Sequence, residues 1–244
     1  MRRFLAAALA LSLAVPSSAV GGQAGAFLRQ DASARGAALG GAMTAVVDDS
    51  SALHWNPAGL ARLSKPEVSA TRVARFEQTS LDVLTPGMPT RLGGFAFSYL
   101  RQSSGGFERR AGPSDTPTTF AVTQGALTGG WGLAFSRLPV SVGVALKSVT
   151  ERIDARSASG AGADIGVAAR PHESVVVGAR VLNLVAPRPS FVSAAVPYAR
   201  VYELSPSWSG RAGADWRALA ALRLARAADG PLEWGLGTEL TYGR

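Results

Sequence analysis

From residue 66 onward, apolar and polar or small side chains alternate with a period of two, the spacing of a β-strand whose successive side chains point to opposite faces. Within 140–148, Val140, Val142, Val144 and Leu146 share one face, while Ser141, Gly143, Ala145 and Lys147 share the other. In 232–243, Leu232, Trp234, Leu236, Leu240 and Tyr242 oppose Glu233, Gly235, Gly237, Glu239 and Thr241. Residues 160–170 set Ile165 and Val167 against Gly162, Asp164, Gly166 and Arg170, and 93–101 set Phe95, Phe97 and Tyr99 against Gly94, Ala96 and Ser98. The pattern predicts an all-β chain with about ten strands, over 66–76, 79–85, 92–101, 118–137, 140–153, 160–170, 174–184, 210–217, 220–227 and 232–242.

Two architectures share this alternation. A soluble sandwich or barrel turns its apolar face inward, whereas a transmembrane antiparallel β-barrel turns it outward to lipid and lines its lumen with small and polar residues. The connections favour the second. Short turns are expected at 86–91, Leu138-Pro139, 171–173 and Ala218-Leu219, and longer loops at 102–117, 154–159 and 185–209. Such alternation of short and long connections belongs to membrane barrels. The short links at Glu77-Gln78 and 228–231 depart from it. Trp131, Trp234, Tyr99 and Tyr242 fall at or near strand ends on the apolar faces, where interfacial girdles sit. On this assignment Val142→Arg is expected to be harmful and Gly143→Ser nearly neutral.

The N-terminus adds a location. Arg2 and Arg3 precede an apolar run at 4–15, Pro16 breaks the run, and Ser17-Ser18-Ala19 offers the small residues a signal peptidase reads. The run is well short of the ~20 residues that span a bilayer as a helix. Residues 1–19 are therefore expected to be a signal peptide cleaved near Ala19, delivering residues 20–244 to a Gram-negative envelope. Residues 20–64 have a different character, rich in Ala and Gly without the period of two. There Asp49 or Ser50 is expected to cap a short helix through Trp55. Asn56 ends that helix because it precedes Pro57. Asn56 then caps a second short helix with Pro57 at its first position, where the missing N–H is tolerated. The result is a fixed bend, read as a compact plug in the lumen of a barrel formed by 65–244.

The same stretch carries a resemblance. Residues 26–63, with Arg35, Gly36, Leu39, Gly40, Gly41, Asp48, Asp49, Ser51, Ala52, Leu53, Trp55, Asn56, Pro57, Ala58, Gly59 and Leu60, are similar to the N-terminal signature of the PorV/PorQ family of outer-membrane proteins, within the FadL-like barrel group. Residues 132–153 and 178–187 are similar to that family's later strands. The resemblance implies a plug motif built from Asp48, Asp49, Trp55, Asn56, Pro57 and Gly59. It also implies an outer-membrane location and a structural or cargo-handling role in secretion, with secretion-system proteins or secreted cargo as partners beside the lipid bilayer. The alternative it implies is FadL-like transport of hydrophobic small molecules. The family's barrels are larger, with about fourteen strands, inside the range such barrels span. A chain ending at Tyr242-Gly243-Arg244 is thus either a smaller barrel or a truncated larger one, and the second is expected.

Composition changes little in this picture. Charged residues are 17% of the chain, below the roughly 25% of soluble domains. The net charge of +8 is scattered and forms no basic block, so nucleic acid is not an expected partner. Among the 25 basic residues only Lys65 and Lys147 are Lys, a usage in keeping with a GC-rich genome. The absence of Cys excludes disulfides and thiolate sites. His54 and His172 are the two histidines and read as packing or surface residues; Asp48-Asp49 read as caps rather than as a cation site. The glycines of 160–166 lack the strand–loop–helix setting of a phosphate-cradling loop, and no G-x-S-x-G occurs. No catalytic, metal or cofactor site is expected, and no ligand-binding residue is assigned.

Overall fold

The computed structural model describes residues 24–30, 33–75, 78–110, 112, 116–191 and 195–243. The expected signal peptide, residues 1–19, lies outside the described residues. A 3-10 turn over Ala26–Arg29, helix α1 (Ala34–Ala38), helix α2 (Ala52–Trp55) and a 3-10 helix over Pro57–Arg62 precede the strands. The strands are β1 (Glu67–Ala74), β2 (Thr79–Thr90), β3 (Gly93–Arg109), β4 (Thr118–Ala134), β5 (Val140–Ile153), β6 (Arg156–His172), β7 (Val175–Val185), β8 (Val201–Arg211), β9 (Trp216–Ala227) and β10 (Leu232–Tyr242). They form one ten-stranded antiparallel sheet in sequence order. Among the described residues β1 pairs with β2 alone and β10 with β9 alone, so the sheet is open.

Several expected boundaries move. β2 runs through 86–90 instead of turning there, so the hairpin to β3 is Arg91-Leu92. Beyond Gly87 it has no β1 partner, so Pro89 lies on a free edge, where a missing donor is tolerated. β3 continues to Arg109 with a register shift between Ser104 and Phe107, using residues expected as loop. β6 begins at Arg156, leaving Asp154-Ala155 as the turn from β5. The turn expected at Ala218-Leu219 is wrong, because those residues lie inside β9. The turn falls at 212–215, where Gly213 and Asp215 supply the turn chemistry that Ala218 and Leu219 lack. β8 accordingly spans Val201–Arg211 instead of 210–217.

The two faces of the sheet differ as the alternation requires. Large apolar side chains stand on the exposed face: Phe97 is 51% exposed, Leu146 67% and Trp234 53%. The opposite face is mainly small or polar, with a few large apolar residues such as Leu81 and Val149, and the N-terminal segment packs on it. Leu39, Met43, Val47, Leu53, Trp55 and Leu60 are buried together with Ala96, Ala145 and Ala221 of the sheet. Phe27 and Leu28 join Leu81, Val83, Leu100, Val149 and Tyr198 in a second cluster. The core thus lies between the sheet and residues 26–63, most of its large side chains coming from that segment or from its immediate neighbours.

Glycine permits this contact where backbone meets backbone. A Cβ on Gly143 would lie 2.2 Å from the carbonyl carbon of Pro57, and one on Gly166 would lie 1.9 Å from the Asn56 Oδ1. The expectation that Gly143→Ser is neutral is therefore overturned: the position is filled by the N-terminal segment, not by open lumen. Gly143→Ser should destabilise the folded chain by roughly 1–3 kcal/mol through overpacking. Gly125→Ser should not, since the nearest atom to a Cβ there is the Leu100 carbonyl oxygen at 3.7 Å. Denaturant midpoints of the two variants test this; equal midpoints would contradict it.

Candidate functional site

The site is the contact surface between residues 24–63 and the sheet. Its centre is Asn56, fully buried and extended at φ −161°, ψ 107°. α2 ends there because the following proline forbids a helical residue. The Asn56 Oδ1 accepts from the backbone N–H of Ala58 at 3.1 Å, capping the 3-10 helix that begins with Pro57. Its Nδ2 donates to the carbonyls of Thr44 at 2.8 Å and Val167 at 3.1 Å. One amide therefore caps a helix, ties two parts of the segment together and anchors both to β6.

The neighbouring motif residues act locally. Asp49 Oδ1 accepts from the Ser51 N–H at 2.9 Å and from the Ser51 hydroxyl, and its carbonyl accepts from Ala52 at 2.9 Å. The residue directly before α2 is Ser51, whose side chain makes no capping bond, so Asp49 closes the turn one step earlier. Ser50, the other expected cap, is instead held by the sheet: its N–H donates to Glu67 at 2.5 Å and its hydroxyl to the Thr85 carbonyl at 2.9 Å. Asp48 is exposed and pairs with Arg35 at 3.5 Å. Trp55 is buried with its ring against Gly36, where a Cβ would lie 2.4 Å from the indole. Pro57 sets its carbonyl over Gly132 and Gly143, and Gly59 packs under Val47 and Ala52.

Beyond the motif, charges of alternating sign cross the covered face. Arg180 on β7 donates to Glu203 on β8 at 3.0 Å, and Arg223 on β9 reaches Glu203 at 3.3 Å and Glu233 on β10 at 3.4 Å. Arg29 of the N-terminal segment ends the series on Glu233 at 2.5 Å. The Thr44 hydroxyl also donates to Glu203. Arg180 spends a further donor on the His54 carbonyl at 2.6 Å, and Arg35 binds Glu239 at 2.8 Å. Lys147 pairs with Asp164 at 2.6 Å, whose carboxylate also accepts from the Asn183 N–H. The Tyr198 hydroxyl donates to Glu151 at 2.6 Å, and its ring meets Phe27 edge-on. Lys147, Glu151, Asp164, Arg170, Glu233 and Glu239 were legible as charges on the face opposite the apolar one, Arg170 lying exposed near the end of β6. Glu203, Arg180, Arg223 and Tyr198 were not, since residues 185–209 read as loop and nothing local marks partners so far apart in sequence.

His54 is more than a surface residue. Its Nε2–H donates to the Gln30 carbonyl at 3.0 Å, and its ring meets Trp55 edge-on. Burial, and then the nearby Arg180 guanidinium, push its imidazole down to about 4. His172, by contrast, is exposed as the last residue of β6, its Nδ1 accepting from the Ser174 N–H.

These features define an open antiparallel β-meander folded around its own N-terminal segment. Residues 19–162, from that segment through β5 into β6, match the model of the family described as Uncharacterised protein family (UPF0164), and the chain belongs to that family. No curated protein matches the chain. Two solved structures of OmpT, an outer membrane protein of Vibrio cholerae, are similar over part of it. The in-vitro folded form has 9% identity and a TM-score of 0.48 over 74% of this chain and 62% of that one. The outer-membrane expressed form has 8% identity and a TM-score of 0.45 over 72% and 60%. The chain thus spans less than two thirds of the length of either.

Two predictions follow the hydrogen bonds and the imidazole. Asn56→Ala removes three hydrogen bonds and takes this partner from the buried Thr44 carbonyl and the Ala58 N–H, a loss of roughly 2–4 kcal/mol. Residues 24–63 should become open to limited proteolysis while the strands stay protected; full protection of the segment would contradict the anchoring role. For His54 the folded value lies below the ordinary 6.5, so the released segment binds the proton more readily. Docking is therefore complete above pH 6.5 and weakens as pH falls toward 4. His54→Gln keeps a donor for Gln30 but cannot titrate. The stability difference between wild type and this variant should shift against wild type across that window, and a pH-independent difference would refute the assignment.

Proposed function

We propose that the chain is an outer-membrane β-barrel protein whose N-terminal segment serves as a plug, and that it acts as a structural or interaction component of PorV/PorQ type in secretion or cargo handling. The observation that carries the membrane part is the inversion of the sheet. Most of its large apolar side chains are exposed and its mainly small and charged face is covered, opposite to a soluble sandwich. Trp234 and Tyr242 on the exposed face of β10 suit an interfacial girdle. In hydrocarbon the free edges of β1 and β10 must meet further backbone partners.

The interaction role has more support than transport through the lumen. The cavity between the plug and the sheet beside Leu53 and His54 has a volume of about 20 Å³. That is room for one water, not for a hydrophobic ligand. Opening a track there would mean breaking the Lys147–Asp164 pair and the His54–Gln30 hydrogen bond that border it.

The membrane reading requires the chain to fractionate with the outer membrane and to migrate differently in gels with and without boiling. Leu146→Arg, placing a cation mid-strand on the exposed face, should lower assembly by roughly 2–4 kcal/mol. Recovery of the wild type as a soluble periplasmic protein would overturn the reading. The secretion role predicts that deleting the gene changes the set of secreted or surface-attached proteins, and an unchanged set would overturn that part alone.

A further inference from the structure

The outward face is not uniformly convex. Across β5 to β10 it holds a depression of about 520 Å³, well inside the size range of small-molecule sites. Its origin lies in one register row. Val142 stands opposite Val167, Val167 opposite Ala179, Ala179 opposite Leu204, and Leu204 opposite Leu224. Ala179 is the one small side chain in that row and leaves a floor between larger neighbours. On the covered side of the same strand, Gly178 lies directly on the plug, where a Cβ would come within 2.3 Å of the Thr44 carbonyl oxygen. β7 is thus drawn against the plug backbone at the point where its outer surface is lowest. A register shift between β6 and β7, between Ala163 and Ile165, falls beside it.

The next row supplies a charge. Arg226 on β9 stands between Tyr202 of β8 and Leu232 of β10, and all three line the depression. The Arg226 side chain is exposed, and it makes none of the ion pairs formed among the described residues. An unpaired guanidinium at the rim of an apolar depression is matched by a ligand with an apolar body and a single anionic end.

We propose that this depression binds an anionic glycerophospholipid, one acyl chain lying over Ala179 and the phosphodiester pairing with Arg226. This rests on the outer-membrane reading. The lining holds two guanidinium residues, but Arg180 is buried and neutralised by Glu203, so a phosphodiester with its one negative charge meets the one exposed guanidinium, whereas a lipid with several phosphates would call for a wider cationic cluster. Tyr202, beside Arg226 across the β8–β9 ladder, places its amphipathic ring at the same level, as aromatic residues do at a headgroup boundary.

The test uses the full chain, purified in detergent, delipidated and offered phosphatidylglycerol or phosphatidylethanolamine with identical acyl chains, with bound lipid counted by native mass spectrometry. Wild type should retain one phosphatidylglycerol in preference to phosphatidylethanolamine. Arg226→Gln should lower phosphatidylglycerol binding about tenfold and abolish the preference, a change of the size expected for losing one charge-assisted contact. Ala179→Leu fills the floor and should reduce binding of both lipids. Heat-modifiable migration shows that each variant still folds. Equal retention of the two lipids, unchanged in both variants, would overturn the proposal, as would a co-purifying protein displaced by Ala179→Leu with lipid binding unaffected. A wild-type chain that stays out of membranes would overturn the membrane reading and this proposal with it. One that inserts but shows no lipid preference would overturn this proposal alone.

Discussion

The fold depends on how closely one piece of backbone can lie on another. The Asn56-Pro57 bend sits directly on β5 and β6, at a separation that leaves no room for a side chain on Gly143 or Gly166. Such an approach strips water from backbone carbonyls, and buried carbonyls need partners. Asn56 supplies them: one amide serves the Thr44 and Val167 carbonyls, and its oxygen serves the Ala58 N–H. Arg62 does related work nearby, its guanidinium donating to the Ala45 and Val47 carbonyls. The irregular backbone of 40–50 is held in this way by side chains from short helical pieces rather than by a ladder of its own.

Around this contact the charges serve position more than stability. Buried ion pairs recover little beyond the desolvation they incur, but a wrongly placed partner leaves a charge uncompensated. Glu203 shows the consequence. It has no exposed side-chain surface and is shared by Arg180, Arg223 and Thr44, so β7, β8, β9 and the N-terminal segment must all be in register to satisfy it. Glu233 couples that group to Arg29, and Glu239 couples β10 to Arg35. Arg35 in turn reaches Asp48, close in sequence to the Ser50 N–H held by Glu67 of β1. The two strands that do not pair with each other are thereby linked through the N-terminal segment. An open sheet acquires a defined curvature from what it encloses.

The same arrangement explains why the inner and outer surfaces of the sheet are not independent. Where glycine lets β7 settle on the N-terminal segment, the outer face is left with a hollow over Ala179. A position chosen for close packing on one side thus shapes the surface exposed on the other.

Much of this architecture follows from local chemistry and could be read along the chain. The alternation of Val142, Val144 and Leu146 with Gly143, Ala145 and Lys147 specifies a strand and its two faces, because side chains on a strand have no other way to point. Asn56-Pro57 specifies a helix stop and restart, since the steric limits on a pre-proline residue act within two residues. What escaped sequence reading was non-local. β8 was obscured because Pro206 and the serines around it break the apolar pattern, yet they fit once Ser205 and Ser207 face the interior and Trp208 the exterior. β9 was split in two because its run of Ala and Leu has no strong period. Its neighbours β8 and β10 hold it as one strand through their ladders. The residues that set the N-terminal segment in place come from positions such as 29 and 233, or 44 and 203, and no rule of spacing connects them. Local sterics and side-chain periodicity determine which segments are strands and which way they face. Only the tertiary structure decides which buried charges meet, because that choice is made by the complete set of partners each one needs once water is gone.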